Sequence, residues 1–259
     1  MKISATIITF NEERNIKKCI ESLLEVADEV IVVDSFSTDD TERICKSFDK
    51  LKFYKNSFEG HIQQKNYAVS KASYNFVLSL DADEQLSDDL IQELNNIKIE
   101  GVTISSAYSM PRLNNYCGKW IRHCGWYPDR KIRLWDKRIG TWGGTNPHDH
   151  VVLNESAHQT KLLSNILHYT FSDITEHVEQ SNKFSDIAAL ELFRSERKIA
   201  VKFKMLLDPL YTFFRMYFIK LGMLDGFYGL IISVVSSYEK FLKYAKLKKL
   251  QSECKHSLS

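Results

Sequence analysis

Two aspartates separated by one residue follow an apolar run in the first third of the chain. Asp81 and Asp83 come directly after Phe76–Leu80, whose sequence FVLSL is typical of a buried strand. Two carboxylates at this spacing can face one divalent cation, which keeps its other coordination positions for phosphate oxygens and water. Acidic pairs are common in loops, but the strand before this pair and the acids at other strand ends strengthen the prediction of a metal site.

Polar side chains also fall at the ends of two earlier predicted strands. Asn11 and Glu12 follow the apolar run Ile3–Phe10, and Asp34 ends the run Glu29–Val33. An aspartate at a strand terminus can accept hydrogen bonds from a base N–H or a ribose hydroxyl. Because ligands of parallel sheets lie beyond the carboxyl ends of the strands, we expect these side chains to surround one ligand.

The elements that must position these side chains alternate along the N-terminal part of the chain. Strands are predicted at 3–10, 29–33, 52–55 and 76–80; helices are predicted at 16–24, after Asp39, at 63–72 and after Ser87, with Asn11 and Ser87 as caps. This alternation predicts an α/β fold with a mainly parallel sheet. The glycine patterns of dinucleotide oxidoreductases and P-loop enzymes do not occur in the sequence, so a bound nucleotide would need a cation for its phosphates.

Four short motifs resemble family 2 glycosyltransferases of the GT-A fold. They are Thr9–Glu13 (TFNEE), Val33–Thr41 (VDSFSTDDT), Gln64–Asn66 (QKN) and Leu80–Glu84 (LDADE). Their order, spacing and strand positions agree with that family over roughly residues 1–150. The Trp-rich middle, the His148-Asp149 pair and the apolar, basic tail are most similar to small bacterial enzymes that add a glucose-type sugar to the lipopolysaccharide inner core.

The resemblance implies both an architecture and an activity. Residues 1–175 would form a GT-A (Rossmann-like) sandwich that binds a nucleotide sugar, and residues 176–259, rich in long helical runs, a C-terminal helical region that associates with a membrane. The implied activity is an inverting transfer of a hexose, usually from a UDP-sugar, to a hydroxyl of a cell-envelope glycan or glycolipid. The implied cofactor is Mg²⁺ or Mn²⁺.

The resemblance also implies roles for residues of the four motifs. The nucleoside pocket would be lined by Thr9, Asn11 and Glu12, and Asp34 would contact the uracil. Lys65 would help to hold the base or the diphosphate. Asp81 would reach the ribose and metal-linked water, and Asp83 would bind the metal directly. The chain departs from the family pattern at Phe10, where tyrosine is usual, and at Phe36, where glycine is usual.

A glycine-rich turn further along the chain carries the candidate general base. Gly143–His150 reads GGTNPHDH, in which glycines permit close backbone approach and Pro147 fixes the following residues. Inverting transfer needs one base on the acceptor hydroxyl and a stabilised leaving phosphate. Relatives often carry a His-Glu pair here, which makes Asp149 the candidate base and His148 a third metal ligand or a diphosphate donor. His150 is a competing base, and a polar loop with exposed histidines is the alternative interpretation.

The middle of the chain is rich in aromatic and basic side chains. All four Trp lie within 23 positions, and eight basic residues against two acidic ones lie from Arg112 to Arg138. Indole rings offer apolar faces to a sugar, and arginine forks bind phosphate with two hydrogen bonds. An acceptor site for a phosphorylated glycan is therefore predicted from Trp126, Arg130, Arg133 and Trp135. Ordinary packing of the tryptophans in the core is the alternative.

The C-terminal region is basic and apolar. Residues 200–250 hold nine Lys and Arg against three acidic residues, a net charge of +6. The longest uncharged stretch, Gly226–Tyr238, has 13 residues, fewer than the roughly 20 that a spanning helix needs. We expect a cytoplasmic protein at the inner membrane surface, with the lysines of 240–249 on anionic headgroups and binding that weakens in high salt. A helical hairpin packed on the catalytic domain is the alternative.

Other classes of protein fit the sequence less well. The net charge of +2 is too small to indicate a nucleic-acid partner. Phosphatases that use an Asp-x-Asp pair carry it after the first strand of their fold, whereas this pair follows the fourth predicted strand. A nucleotidyltransferase of related α/β fold, and a membrane-associated nucleotide-binding module without a catalytic base, remain as alternatives. The latter requires Asp149 to be remote from the metal site.

Overall fold

The computed structural model describes residues 1–101, 107–146, 148–195 and 200–256, with the backbone alone for His148, Lys255 and His256. The strands β1–β12 of these residues are Ile3–Thr9, Glu29–Asp34, Leu51–Lys55, Phe76–Asp81, Glu84–Leu86, Ala107–Tyr116, Lys119–Ile121, Asp129–Asp136, Gly140–Thr145, His148–Leu153, Gln159–Lys161 and Ile166–Phe171. Their helices α1–α7 are Ile16–Leu24, Thr41–Cys45, His61–Ser70, Asp88–Glu100, Ile174–Arg194, Val201–Phe214 and Gly226–His256. A π-helical segment, Arg215–Ile219, and a 3₁₀ segment, Gly222–Asp225, connect α6 to α7.

The predicted parallel strands form one half of the main sheet. The strand order begins β3-β2-β1-β4 with every pair parallel and continues β8-β6-β12-β5 with antiparallel β4/β8, β6/β8 and β12/β5 pairs. Strands β9 and β10 form a separate antiparallel hairpin. All six residues of β2 are buried, as expected for a central strand covered on both faces. The predicted α/β fold is therefore present, and the later strands add an antiparallel half.

Helices cover both faces of the parallel strands. Ile16, Ile20 and Leu23 of α1 are fully buried in the same cluster as the inward residues of β1 and β4, which confirms the helical spacing read from the sequence. Ser87 caps α4, because its Oγ accepts the Leu90 N–H at 3.2 Å. The predicted cap at Asn11 is wrong: α1 begins five residues later, after Asn15, because Asn11 has a left-handed backbone with φ 55°.

The chain divides into two compact units. The first contains residues 1–113 and 128–169, and the second contains 114–127 and the chain from 170 onward. The sequence placed a boundary near 175, which stays a prediction; the second unit of the structure also includes the segment 114–127, which was not expected there. The contacts of the segment 114–127 explain why it belongs to the second unit. The Asp225 carboxylate accepts hydrogen bonds from the backbone N–H groups of Arg122 at 3.3 Å and of His123 at 2.8 Å.

An aromatic cluster forms the centre of the second unit. Tyr116 is fully buried, its hydroxyl lies 3.0 Å from His177 Nδ1, and its ring meets the rings of Trp126 and Phe171 edge to face. Burial lowers the pKa of His177 to about 4. The imidazole is therefore neutral at pH 7.

The helices that the structure describes in the second unit do not individually have the properties of a membrane span. Within the described residues, no helix taken singly is long and apolar enough to cross a bilayer. Val201–Ile219 and Gly222–Cys254 meet the criteria only as a pair, bent by 69° at the break between them.

Candidate active site

Three parallel strands bring the predicted ligand-binding side chains to one edge of the sheet. In the strand register, Thr9 lies opposite Asp34 and Ile8 lies opposite Asp81. The ends of β1, β2 and β4 are therefore level, as the sequence predicted. Asp34 is fully buried, and the Thr9 Oγ1 is buried without a hydrogen-bond partner among the described residues.

The loops after β1 and β2 are joined by hydrogen bonds between Asn11, a predicted nucleoside-pocket residue, and the second motif. Asp34 Oδ2 accepts the Ser37 N–H at 2.9 Å, and Ser37 Oγ accepts the Asn11 N–H at 2.9 Å. Asn11 Oδ1 in turn accepts the Thr38 N–H at 2.8 Å. Phe36, where the family usually has glycine, adopts the left-handed conformation that glycine favours, with φ 63°. Phe36 therefore has a backbone conformation that glycine would adopt with less strain.

A buried lysine joins the first aspartate of the pair to the candidate base. Lys65 on α3 places Nζ 2.8 Å from Asp81 Oδ1 and 2.8 Å from Asp149 Oδ2. Its side chain is 4% exposed, and Nζ lies 4.3 Å from the centre of the Trp142 ring. Burial would raise the pKa of Asp81, but the positive charges of Lys65 and Arg133 hold it well below its ordinary value. Asp81 is therefore an ionised, internally paired carboxylate.

Arg133 extends this network to a buried glutamate. Its Nη2 lies 2.8 Å from Asp81 Oδ2 and 2.7 Å from Glu84 Oε1. Glu84 also accepts from Arg112 Nη1 at 3.1 Å, and Arg112 Nη2 pairs with Asp129 at 2.6 Å. The sequence predicted that Arg133 would bind an acceptor phosphate. In the structure it is a buried counter-ion, because two carboxylates at the end of β4 and in β5 need its charge.

Helix α3 carries the Gln64–Asn66 motif, whose three residues contact three different parts of the site. Gln64 Nε2 donates to Ser35 Oγ at 3.0 Å, in the loop after β2. Lys65 makes the two ion pairs described above. Asn66 Nδ2 donates to the Trp142 carbonyl at 2.9 Å, and its Oδ1 accepts the Trp142 N–H at 3.1 Å. The motif thus fixes the β9–β10 hairpin, and with it Asp149, against the sheet.

The second aspartate of the pair lies beside a histidine that the sequence analysis missed. Asp83 Oδ2 is 3.1 Å from His168 Nε2, and the two side chains are 28% and 13% exposed. Carboxylate oxygens are the ligands that Mg²⁺ and Mn²⁺ prefer, and imidazole nitrogen is a common ligand of first-row divalent metals. No group of three or more His, Cys, Asp and Glu side chains in the described part of the chain is arranged for a metal. The His148 side chain, which was predicted as a third ligand, is outside that part, as is Pro147.

Glu12 is a predicted pocket residue whose carboxyl is perturbed by burial. The pKa of this carboxyl is raised to about 7, chiefly by burial and in smaller part by the negative charges of Asp83 and Asp39, while a hydrogen bond from Asn15 Nδ2 at 2.9 Å acts in the opposite direction. Glu12 therefore exchanges a proton near neutral pH at the edge of the site.

The predicted acceptor residues belong to both units and have different surroundings. Trp126 belongs to the aromatic cluster of the second unit, whereas Arg130 is an exposed residue of the first unit whose Nη1 donates to the Leu162 carbonyl at 2.8 Å. Trp135 is fully buried and donates Nε1–H to the Gly140 carbonyl at 3.0 Å, so the expectation of a sugar-stacking role is wrong for this residue. The acceptor roles of Trp126 and Arg130 stay predictions.

The sequence matches one enzyme family and individual relatives within it. The profile of the family described as Glycosyl transferase family 2 matches residues 4–141. An uncharacterized glycosyltransferase of Rickettsia typhi is 32% identical over 100% of this chain and 90% of its own length. The lipopolysaccharide core biosynthesis glycosyltransferase LpsC of Rhizobium meliloti is 27% identical over 95% of this chain and 92% of its own. The chain belongs to the family 2 glycosyltransferases.

One similar solved structure is the mannosyltransferase PcManGT from Pyrobaculum calidifontis in complex with GDP-Man and Mn²⁺. It has 14% identity and a TM-score of 0.49, and the match covers 96% of this chain and 86% of that one. The family match and the sheet described above confirm the predicted GT-A fold with its C-terminal helices. They also confirm the resemblance to family 2 glycosyltransferases that the four motifs indicated.

Proposed function

We propose that this chain is an inverting, metal-dependent hexosyltransferase that moves a hexose from a UDP-sugar to a hydroxyl of a cell-envelope glycan or glycolipid, such as lipopolysaccharide core. The observation that carries the proposal is the Lys65 bridge, because it joins the candidate base Asp149 to the strand end that bears Asp81 and Asp83. The alternative of a binding module without a base required these groups to be remote from each other.

The donor would lie at the carboxyl ends of β1, β2 and β4. Asp34 and Asn11 hold the two loops there, and a buried carboxylate next to a backbone turn suits the polar edge of a pyrimidine or a ribose. The ionised Asp81 is already paired with Lys65 and Arg133. Its oxygens therefore serve to keep two positive charges near the place where a leaving diphosphate would carry its negative charge.

The metal, Mg²⁺ or Mn²⁺, would be held by Asp83 and His168. Their donor atoms are 3.1 Å apart, and both side chains are partly exposed at the sheet edge, so the residues present fit a divalent cation that keeps several positions for phosphate and water. When bound, the cation supplies charge that stabilises the departing diphosphate.

Asp149 would accept the proton of the acceptor hydroxyl. Lys65 holds its Oδ2 at 2.8 Å, and no hydrogen bond to its Oδ1 occurs among the described residues. One oxygen is therefore fixed and the other can face the acceptor oxygen as it attacks the sugar carbon from the side opposite the diphosphate. A base held in this way needs no large reorientation during the reaction.

Two observations outside the site geometry support a cell-envelope glycan or glycolipid as the acceptor. LpsC, which the whole chain resembles, is described as a lipopolysaccharide core biosynthesis enzyme, and the second unit has an apolar, basic composition suited to a membrane surface. Acceptor-binding roles for Trp126 and for Arg130, each in its own unit, and a cytoplasmic position on the inner membrane, are parts of the same proposal.

A donor panel with the whole protein tests the proposal. UDP-glucose, UDP-galactose, UDP-N-acetylglucosamine and GDP-mannose would be compared by thermal shift with Mn²⁺ and with EDTA. A donor at 100 times its Kd should add about 2.7 kcal/mol of stability. The best donor should then transfer its hexose to lipopolysaccharide from a strain that lacks this enzyme. Stabilisation by no UDP-sugar, or transfer that is equal in EDTA, would contradict it.

A further inference from the structure

One face of α6 in the second unit is apolar and exposed along the whole helix. Six side chains recur at helical spacing on this face and are 53–71% exposed: Phe203, Leu206, Leu207, Leu210, Tyr211 and Phe214. Their positions follow the i, i+3, i+4, i+7 rule, so they form one continuous stripe. We call these six residues the α6 stripe.

The α6 stripe is not the face that holds α6 in the protein. On the other side of the helix, Val201 is 7% exposed, Asp208 Oδ2 accepts the Tyr244 hydroxyl at 2.5 Å, and the Pro209 carbonyl accepts the Ser237 hydroxyl at 2.6 Å. These contacts attach α6 to α7. Within the described residues, one side of α6 is therefore covered by α7, and the α6 stripe lies on the other side.

The exposed apolar surface continues through the bend after α6. Phe218, Ile219, Leu224 and Phe227 are 45–64% exposed. The largest apolar patch on a typical monomeric protein is about 300–600 Å². The six side chains of the α6 stripe are each more than half exposed, and the bend extends the same exposed apolar surface.

Basic side chains stand at both ends of the α6 stripe. Lys202 and Lys204 begin the helix, and Arg215 and Lys220 follow it; all four are exposed, and Lys204 lies 3.5 Å from the Asp208 carboxylate. If two copies packed through this stripe, antiparallel or parallel, basic ends would meet basic ends and repel each other. A surface that is apolar inside and anionic outside has the complementary chemistry, which favours a phospholipid bilayer over a second copy of the chain.

The lysines of 240–249 contribute less than the sequence suggested. Lys246 bonds to Asn182, Ser185 and Asp186 at 2.8–2.9 Å, and Lys249 pairs with Glu253 at 3.7 Å. Part of the charge assigned to headgroups is thus neutralised within the second unit. Membrane binding by this unit should depend on apolar side chains more than on these lysines.

We propose that the α6 stripe inserts into the surface of an anionic bilayer, with α6 lying in the membrane plane and its basic ends on the headgroups. The inference rests on the proposed function, since it identifies the surface by which an enzyme acting on a glycolipid would reach its acceptor. Apolar insertion is not screened by salt. The binding should therefore persist in high salt, in contrast to the salt-sensitive binding expected from composition.

Flotation of the whole protein with vesicles tests this inference without reference to activity. The vesicles are equal parts of phosphatidylcholine and phosphatidylglycerol, in low and high salt. The variant Leu206→Glu/Leu210→Glu replaces two stripe residues, and Lys248→Glu/Lys249→Glu, on the exposed surface of α7, is the matched control. We expect the wild type and the control to float in high salt, and the stripe variant to partition at least about tenfold less.

Folding and donor binding are measured beside flotation. The melting temperature and the Mn²⁺-dependent stabilisation by UDP should be the same in all three proteins. Since vesicle binding is measured separately from donor binding, a failure of the proposed function can be distinguished from a failure of this inference. Equal flotation of the stripe variant and the wild type would overturn the inference. The inference would also be overturned if the wild type did not bind vesicles but formed a dimer that the stripe variant abolished, because a second copy of the chain would then cover the α6 stripe.

Discussion

The ammonium of Lys65 lies 2.8 Å from the carboxylate of Asp149, although 84 positions separate the two residues in the chain. The same ammonium lies 2.8 Å from Asp81 Oδ1. One side chain, 4% exposed, therefore holds together α3, the end of β4 and the β9–β10 hairpin. Since removal of one partner from a buried ion pair leaves an uncompensated charge, Lys65 links the stability of the first unit to the geometry of its site.

Replacing Lys65 by Met should destabilise the protein by about 3 kcal/mol, the lower part of the range for a broken buried pair. Two carboxylates would lose their shared counter-charge, although Asp81 would keep Arg133. Urea unfolding measures the change. Lys46→Met, which breaks an exposed pair with Glu42, is the control and should cost less than about 1 kcal/mol. Equal unfolding midpoints for Lys65→Met and the wild type would show that the bridge does not stabilise the fold.

The site's backbone frame could be predicted from the sequence. Apolar runs followed by Asn11, Asp34 and Asp81 predicted strand ends, and level strand ends at one edge follow from a parallel sheet. The buried face of α1 and the Ser87 cap could also be predicted from the sequence, because both depend on residues within a few positions of each other.

Contacts between distant segments could not be predicted. His168 lies 85 positions after Asp83 on a strand whose partner is β5, and nothing in the local sequence indicates that pairing. Arg133 reads as an exposed phosphate ligand until its strand is known to lie beside β4. The exposed face of α6 also depends on which side of that helix α7 covers, which helical spacing alone does not decide.

Metal dependence through Asp83 is the second testable consequence. Asp83→Asn removes a charged oxygen from the pair with His168, and transfer should fall by a factor on the order of 10²–10³, as for loss of one electrostatic stabiliser. The Mn²⁺-dependent part of the thermal shift with UDP should disappear as well. Asp89→Asn, an exposed substitution in the first turn of α4, is the control. A variant at Asp83 with full activity would remove this residue from the metal site.

Asn66 should position the hairpin that carries Asp149. Asn66→Ala removes the hydrogen bonds to both backbone groups of Trp142, and a small displacement of a catalytic group can cost up to about 10²-fold in rate. We expect kcat to fall by about tenfold or more while the KM for the donor changes little. Ser70→Ala, at an exposed position of the same helix whose hydroxyl donates to the Tyr67 carbonyl within that helix, should leave kcat unchanged. A rise in donor KM at constant kcat would instead make Asn66 a donor-binding residue.

The buried His177 should make the stability of the second unit fall in mild acid. Burial lowers the pKa of this imidazole to about 4 from an ordinary value of 6.5, so between these values the unfolded chain binds a proton that the folded chain does not. By linkage, the free energy of unfolding should fall by about 2 kcal/mol between pH 7 and pH 5 through this group.

Comparison with a variant isolates that contribution. Urea unfolding of the wild type and His177→Gln at both pH values removes the effects of the other titrating groups, which the two proteins share. The variant should be less stable at pH 7, because the Tyr116 hydroxyl loses its 3.0 Å partner, but its stability should depend less on pH. The same pH dependence in both proteins would mean that His177 is protonated in the fold.

The kinetics of Asp149→Asn, measured with the best UDP-sugar and a lipopolysaccharide acceptor, test the central claim most directly. Asparagine keeps the size of the side chain but cannot take the acceptor proton, so turnover should be lost by a factor on the order of 10³ or more while donor affinity changes little. Wild-type turnover at saturating donor, with weaker donor binding, would contradict the account and make Asp149 a binding residue.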